Sequence, residues 1–475
     1  IKNRNMKTIP YILSLILLAV SCGPDAPQQQ EAVKLSVDKT SLEFTAEGGE
    51  QTFTVTASEQ LYLVPGDGWV SVKKGTKSPD HKTVVTVTVQ KNTMTEVRET
   101  RISVVAGDEK MYVEVSQEAG ESAGAGGGAG DNGGGAVVPG NDGNLAWQFA
   151  ERLGIGWNMG NHFDAHNNGV SGETFWGNPK ATAATFTKVK AAGFNTVRIP
   201  VTWLGHIGDA PEYKIEEAWL DRVAEVVGYA EAAGLNAIIN MHHEDKWLNV
   251  PALGTDYEKI GVQLAAIWRQ VADAFADYDQ HLIFEGMNEP RMKGTSFEWN
   301  GNQEGCDAVN YLNQVFVNTV RTDAKGYNDE RALMIPSYGA SCSGVQMNRV
   351  VIPQWNGEQA RNIIASVHSY NPYDFCLSDN SSQFNLRNFS HTFSVDTVFY
   401  SVKSSFLEKG IPVVIGETGA TNTNDNLEDR GNWAYYMARK AATYGVPIII
   451  WDNGSNGKSG GECHVWINRR GDEIT

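Results

Sequence analysis

The chain has 475 residues, of which 41% are hydrophobic and 10% aromatic, a composition that supports large folded cores and more than one domain. Asp and Glu outnumber Lys and Arg by 56 to 39, which gives a formal net charge of −17. A surface of this charge repels phosphate backbones and anionic lipid headgroups, so we expect no nucleic-acid partner and no peripheral membrane binding by the folded domains.

Residues 1–21 have the pattern of an export signal. Basic residues precede an apolar run at 9–20, which is too short to span a bilayer as a helix but suits the hydrophobic part of a signal peptide. The end of the run resembles a bacterial lipoprotein signal, in which Cys22 becomes the acylated first residue. We therefore expect an exported protein that is lipid-anchored at the outer membrane or cell surface, with residues 22–32 as a tether. Secreted and periplasmic locations are the alternatives.

Residues 33–118 are predicted to form a small all-β, immunoglobulin-like sandwich. Apolar and polar side chains alternate in short runs such as 52–56 and 84–89, and turn residues separate these runs. With Trp69 and the closing run 115–117, the segment resembles the BACON domain of Bacteroidetes surface glycan enzymes. We expect Trp69 to pack in the core rather than to stack on a sugar, and the sandwich to act as a spacer.

A glycine-rich segment follows the sandwich. Nine of the sixteen residues in Gly120–Gly135 are glycine and none is a large apolar residue, so no core can form there. Residues 119–143 are predicted to be a flexible linker between two independently folded parts.

Residues 144–475 are predicted to form an α/β domain, a (β/α)8 TIM barrel. Eight Val- and Ile-rich runs alternate with Ala-rich helical stretches, the signature of parallel βαβ units. The runs are 153–159, 195–200, 237–241, 281–287, 332–337, 363–370, 412–416 and 446–451. A doubly wound sheet is the alternative, disfavoured because no dinucleotide fingerprint follows a strand. No amphipathic helix pattern follows Trp451, so we expect the eighth barrel helix to be missing and the chain to be truncated at its C-terminus.

Two carboxylates end runs on different sides of the predicted barrel. Glu289 follows the fourth run and Glu417 the seventh, and the carboxyl ends of all strands share the face that holds a barrel's active site. Paired carboxylates flanking a bond are what glycoside hydrolysis requires. Arg198, at the end of the second run, is placed to hydrogen-bond Glu417 and keep it ionised. This predicts Glu417 as nucleophile and Glu289 as acid/base, whereas Glu285 should lie deeper in the barrel.

The barrel resembles glycoside hydrolase family 5, and within it the endoglucanase/xyloglucanase subgroup. The motifs that carry the resemblance are Gly156–Asn161 with Asp164, Trp176–Pro179, Val197–Pro200, Met241–Glu244, Asn288–Arg291, His368–Tyr370 and Gly416–Glu417. The resemblance implies that Asn288 bonds the sugar 2-hydroxyl and that His368 and Tyr370 support the glutamates. It places His242 and Trp451 in the catalytic subsite. His162 and Phe163 depart from the Thr-Leu that is common in the subgroup.

Further side chains are expected to meet the substrate. The remaining predicted substrate contacts are Asn158, Asn161, His243 and Trp247. Six aromatic residues in predicted loops are expected to form a sugar-binding cleft: Trp176, Trp203, Trp247, Trp299, Trp355 and Tyr373.

The sequence therefore predicts a monomeric, retaining, endo-acting glycosidase for β-1,4-glucan, either cellulose-type glucan or xyloglucan. Mannanase, xylanase and mixed-linkage glucanase activities are alternatives within the class, and a non-catalytic surface glycan-binding protein is the alternative outside it. No cofactor is expected. No metal is expected either, because the adjacent His242 and His243 of an extended segment should point to opposite sides.

Overall fold

The computed structural model describes residues 35–59, 61–65, 69–92, 97–106, 109–120, 145–250, 257–378, 383–422, 426–455 and 463–470. The predicted export signal with Cys22, the tether, and the linker from residue 121 onward lie outside the described residues. Among the helices that are described, none is long and apolar enough to cross a bilayer.

The N-terminal domain is the predicted sandwich of two four-stranded sheets. Its strands are β1 (Leu35–Val37), β2 (Ser41–Phe44), β3 (Gly49–Ala57), β4 (Leu61–Pro65), β5 (Val70–Lys74), β6 (Lys82–Val89), β7 (Arg98–Ala106) and β8 (Glu109–Gln117). One sheet has the order β1-β3-β6-β5 and the other β2-β8-β7-β4. Alternate residues such as Phe53, Val85 and Ile102 are fully buried between the sheets. Trp69 packs against this core and carries the Arg98 guanidinium 4.4 Å above its ring.

Eight parallel strands close into the predicted barrel, in the order β12-β13-β14-β15-β18-β19-β20-β9. The strands of the C-terminal domain are β9 (Ile155–Asn158), β10 (His166–Asn167), β11 (Val170–Ser171), β12 (Thr196–Ile199), β13 (Asn236–Asn240), β14 (Leu282–Glu285), β15 (Leu333–Ser341), β16 (Gln354–Trp355), β17 (Glu358–Gln359), β18 (Ile363–His368), β19 (Val413–Thr418) and β20 (Ile448–Ile450). The pairs β10–β11 and β16–β17 are short hairpins in loops. Each of the eight apolar runs overlaps one barrel strand, which confirms the fold class.

Helices surround the barrel. They are α1 (Leu145–Leu153), α2 (Ala183–Ala191), α3 (Glu217–Ala232), α4 (Tyr257–Ala274), α5 (Gln303–Arg321), α6 (Gly344–Met347), α7 (Tyr373–Cys376), α8 (Phe389–Ser405) and α9 (Leu427–Tyr444). The Ala-rich stretches correspond to α2, α3, α4, α5 and α9. Sequence reasoning missed α1 and α8. The reason for α8 is composition, because Ser, Thr, Val and Phe dominate it and favour strands or caps over helices.

Helix α1 closes the end of the barrel at which the strands begin. Its buried residues Phe149 and Leu153 pack against inward-facing strand residues such as Ile238, Ile364 and Ile449. After β20, the described residues 451–455 and 463–470 form loops rather than a helix.

Candidate active site

The carboxyl ends of the barrel strands surround a cleft of about 1110 Å³. Among the residues that line it are Asn161, Trp176, His242, His243, Asn288, Glu289, Trp299, His368, Tyr370, Tyr373, Glu417 and Trp451. The cleft therefore collects side chains from loops that follow most of the strands, as the barrel topology requires.

Glu417 lies at the end of β19 and is fixed by two donors. Arg198 Nη1 donates to its Oε1 at 2.8 Å, and the Tyr370 hydroxyl donates to its Oε2 at 3.0 Å. His242 Nε2 lies 3.9 Å from Oε1. Glu417 is only 5% exposed, so these partners replace water around its carboxylate.

Glu289 follows β14 and is more open to the cleft than Glu417. Its Oε1 is hydrogen-bonded to His368 Nδ1 at 2.9 Å, and Arg291 Nη1 lies 3.3 Å from its Oε2. Burial acts to raise the pKa of Glu289, but the His368 hydrogen bond and the charges of His368 and Arg291 outweigh it and lower that pKa. Conversely, burial lowers the pKa of His368, but Glu417 and Glu289 outweigh it and raise that pKa above 6.5. The two shifts are opposite in direction because each group stabilises the charged form of the other.

The two carboxylates face each other across the floor of the cleft. A carboxylate oxygen of Glu289, one of Glu417 and a ring nitrogen of His368 all lie within 4.8 Å of one another. His368 Nδ1 is 2.9 Å from Glu289 and 3.6 Å from Glu417. Carboxyl groups about 5–5.5 Å apart allow direct attack on a sugar, whereas about 6.5–9.5 Å leaves room for an intervening water. Oxygen atoms of the two carboxylates within 4.8 Å of each other agree with the shorter of these separations.

Arg198 is the centre of a buried network beneath the cleft. Its Nε donates to Glu285 Oε2 at 2.7 Å and its Nη2 donates to Asn288 Oδ1 at 2.7 Å. Glu285 lies below the cleft, fully buried at the end of β14. The sequence signal for Glu285 was a charged residue in an otherwise apolar strand. Its partner Arg198 could not be identified from the sequence, because that requires the register of the strands.

Asn158 is not exposed to the cleft, as a residue that contacts the substrate would have to be. It is fully buried, and its Nδ2 donates to the carbonyl oxygens of Gly416 and Ile449 at 2.9 and 3.3 Å. Its Oδ1 accepts from Arg198 at 2.9 Å. Asn158 therefore links β9 to β12, β19 and β20 and positions Arg198, which corrects the expectation that it touches the sugar.

Three of the six expected cleft aromatics line the cleft, namely Trp176, Trp299 and Tyr373. The other three lie elsewhere. Trp203 is buried, with its Nε1 donating to Asn240 O at 3.1 Å. The expected substrate contact Trp247 instead donates to Glu244 Oε2 at 2.6 Å and packs against the barrel core, as does Trp355. Trp247 is therefore held by Glu244 and is not among the residues that line the cleft.

His242 and His243 do not point to opposite sides. The polypeptide leaves the extended conformation at the end of β13, and the two rings lie 4.4 Å apart. Asp164 has a carboxylate oxygen within 4.8 Å of both. That carboxylate accepts hydrogen bonds from the amides of Asn161 and His162, and Asn240 Nδ2 donates to His242 Nδ1.

Two more of the predicted substrate contacts, Trp451 and Asn161, line the cleft. Trp451 is 7% exposed and lies parallel to the His242 ring, with centroids 5.9 Å apart. Asn161 lines the cleft in a left-handed conformation, with φ of 58°. Sequence reasoning missed other wall residues, since no motif marks them. They include Gly339, Ala340, Cys342, Asn453, Arg469 and Arg470.

A family model describes the barrel. The model for cellulase, glycosyl hydrolase family 5, matches residues 160–457. The chain belongs to glycosyl hydrolase family 5. In addition, residues 64–118 match the BACON model, a family of N-terminal domains for which a binding role is suggested.

Relatives and solved structures agree with family 5. The chain is 44% identical over 316 residues to Endoglucanase B of Neocallimastix patriciarum, covering 65% of this chain and 64% of that protein. It is 39% identical over 326 residues to the cellulase/esterase CelE of Acetivibrio thermocellus, covering 68% and 38%. This chain therefore spans less than two thirds of either relative.

Two solved structures illustrate the likeness. A GH5-4 broad specificity endoglucanase from Ruminococcus champanellensis with bound cellotriose has a TM-score of 0.64 and 42% identity, covering 68% of this chain and 93% of that one. A family 5 xyloglucan-specific endo-β-1,4-glucanase from a metagenomic library, in complex with cellotriose, has a TM-score of 0.63 and 37% identity, covering 68% and 94%.

Proposed function

We propose that this protein is a retaining, endo-acting glycoside hydrolase that cleaves β-1,4-glucan backbones by double displacement. The observation that carries the proposal is the placement of Glu289 and Glu417 oxygens within 4.8 Å of each other in the cleft. Membership of family 5 and the endoglucanase names of its relatives support the same activity.

In the first step, Glu417 attacks the anomeric carbon. The glycosidic C–O bond breaks as the new C–O bond forms, and Glu289 passes a proton to the leaving oxygen. Arg198 and the Tyr370 hydroxyl hold the nucleophile by hydrogen bonds to different oxygens. In the second step, Glu289 takes a proton from water, and the water oxygen displaces Glu417 from the sugar.

Neighbouring side chains position the sugar. The Asn288 oxygen already accepts from Arg198, so its amide nitrogen is the group that can donate to the sugar 2-hydroxyl. His368 supplies and holds the proton of Glu289, while Trp451 and His242 offer adjacent ring surfaces in the catalytic subsite. Asn161 and His243 are further polar contacts in the cleft.

Product stereochemistry tests the double displacement. Proton NMR of an early digest of a soluble β-1,4-glucan should show the retained β-anomer first, before mutarotation. Glu417→Ala and Glu289→Ala should each abolish turnover of the polysaccharide while far-UV circular dichroism stays that of the wild type. An inverted product at early times contradicts the mechanism.

The proposed substrates are cellulose-type β-1,4-glucan and xyloglucan. Aromatic residues from the loops after β9, β14 and β18 line the cleft, which allows several sugars of a chain to bind at once. Related structures include a xyloglucan-specific enzyme and a lichenase. Initial rates on xyloglucan, carboxymethyl cellulose, barley β-glucan and mannan rank these substrates, and a preference for mannan overturns the proposal.

We also propose that the protein is an exported monomer, anchored in the outer membrane through acylated Cys22, and that the BACON domain is a spacer. The apolar run before Cys22 supports this location. Fractionation of cells that express the full chain should place the wild type in membranes and Cys22→Ser in the soluble fraction. Equal distribution of both proteins contradicts the anchor.

A further inference from the structure

Glu285 is a buried carboxylate that takes no direct part in the proposed reaction. Both of its oxygens accept hydrogen bonds from side chains of other barrel strands, namely β12, β13 and β18. Arg198 Nε and Asn240 Nδ2 donate to Oε2 at 2.7 and 3.0 Å. Ser366 Oγ donates to Oε1 at 2.6 Å. The side chain has no solvent exposure, so this geometry is fixed by the barrel itself.

Arg198 is held between two carboxylates at once. Its Nε meets Glu285 and its Nη1 meets Glu417, and the Arg198 side chain is also fully buried. Burial acts to lower the pKa of Arg198, but the two carboxylates outweigh it and raise that pKa, so the guanidinium stays charged. Removing one partner of a buried ion pair is costly, because the remaining charge is then left without compensation.

The proposed reaction alters the charge of one of these two partners. When Glu417 bonds to the anomeric carbon, the glycosidic bond breaks and the leaving oxygen receives the proton from Glu289. Glu417 is then a neutral ester and no longer compensates Arg198. Glu285 does not react, and its ion pair with the guanidinium is kept throughout this step.

We propose that Glu285 is a positioning residue for this chemistry. It fixes Arg198 against Glu417 and keeps the buried guanidinium compensated while Glu417 is esterified. The inference rests on the proposed function, because it requires Glu417 to act as nucleophile. Without the charge of Glu285, Arg198 pairs more strongly with the ionised carboxylate of Glu417. This stronger pairing stabilises the ground state more than the transition state, because Glu417 is losing its charge in the transition state. Such binding slows the chemical step.

The test compares Glu285→Gln with Ser366→Ala in the full chain. Gln keeps the shape of the side chain: its oxygen can accept from Arg198 and its NH2 group can donate to the Ser366 hydroxyl. Ser366→Ala removes a hydrogen bond from the same carboxylate but leaves the charge. We expect kcat of Glu285→Gln on an aryl β-cellobioside to fall roughly 10²-fold with KM within about twofold of wild type. We expect Ser366→Ala to stay within about threefold in both.

An activated leaving group separates this effect from a fault at the acid/base. A 2,4-dinitrophenyl leaving group departs without a proton, so the defect of Glu289→Ala should shrink on 2,4-dinitrophenyl β-cellobioside. The defect of Glu285→Gln should persist, because it acts on the nucleophile. Glu285→Asp, which keeps the charge, should recover part of the lost kcat.

Two outcomes have distinct meanings. A Glu285→Gln protein that is folded and has the kcat of wild type overturns the inference, while a wild type that cleaves neither β-1,4-glucan nor the aryl cellobiosides overturns the proposed function. If Glu285→Gln does not fold, the test uses Glu285→Asp and Ser366→Ala. The folded fraction of each variant is measured by thermal melts and compared with its kcat. If kcat falls only in proportion to the folded fraction, the inference is overturned.

Discussion

His368 lies between the two glutamates, and in the proposed mechanism it supplies the proton that Glu289 passes to the leaving oxygen. Because its pKa is raised above 6.5 while that of Glu289 is lowered, the pair keeps one proton between these two values and loses it as pH rises through the pKa of His368. We therefore expect the alkaline limb of the pH profile of kcat/KM to follow the loss of this proton from the His368–Glu289 pair.

We predict that His368→Ala moves this alkaline limb to lower pH, because Glu289 must then hold the proton alone. Profiles of kcat/KM between pH 4 and 9 on a soluble glucan check the shift. Tyr370→Phe is the control, since it removes a hydrogen bond from Glu417 but leaves the His368–Glu289 pair in place. An unchanged alkaline limb in His368→Ala contradicts the assignment.

His162 is a second buried histidine with a pH-dependent role, in this case in stability. It is 1% exposed, and neither ring nitrogen has a hydrogen-bond partner among the described residues. Burial, followed by the charges of Arg469 and Arg222, lowers the pKa of His162 well below 6.5. The unfolded chain therefore binds a proton below about pH 6.5 that the folded protein does not, and stability falls as pH decreases through that range.

We predict that His162→Met, which is similar in size and apolar, reduces this loss. At pH 5 the free energy of unfolding of His162→Met should exceed that of the wild type by about 2 kcal/mol more than it does at pH 8. This figure follows from roughly 1.4 kcal/mol for each pH unit below 6.5. Urea denaturation of both proteins at the two pH values measures it. At pH 8 the protonation effect is absent, so any difference there reports packing alone. A pH-independent difference between the proteins contradicts the prediction.

At the scale of single residues, motif and strand order together indicated Glu289 and Glu417, because chemistry restricts which side chains can act there. The roles of Asn158 and Glu285 were not accessible in the same way. Whether a polar residue near a strand end points into the cleft or toward Arg198 depends on register and stagger between strands, which one sequence does not encode locally.

Among the elements, α1 has a structural role that its position before the first strand does not reveal. Its buried face meets residues from six of the eight strands, so it stabilises the barrel as a whole. The strands themselves were predictable because strands buried on both faces form continuous Val- and Ile-rich runs. Helix α8 was not, because tertiary packing overrides its weak helix propensity.

We predict that Phe149→Ala in α1 lowers the free energy of unfolding by about 3–5 kcal/mol, the usual result of emptying a buried aromatic site. Phe149 is 3% exposed, whereas the neighbouring Gln148 is exposed and makes Gln148→Ala the control. Urea denaturation measures both. Activity per folded molecule should not change, because α1 lies at the opposite end of the barrel from the cleft. A loss of activity without a loss of stability contradicts the role assigned to α1.

For the molecule as a whole, the net charge of −17 acts on every substrate that carries charge. Carboxymethyl cellulose is a polyanion, and xyloglucan is neutral. Repulsion between the acidic protein and the polyanion extends over about 30 Å at 0.01 M salt but only about 8 Å at 0.15 M. We predict that kcat/KM on carboxymethyl cellulose rises severalfold between these salt concentrations, since screening removes the repulsion that slows encounter. The value on xyloglucan should stay nearly constant, which serves as the internal control, and a parallel rise on both substrates would show that salt acts on the enzyme rather than on the encounter.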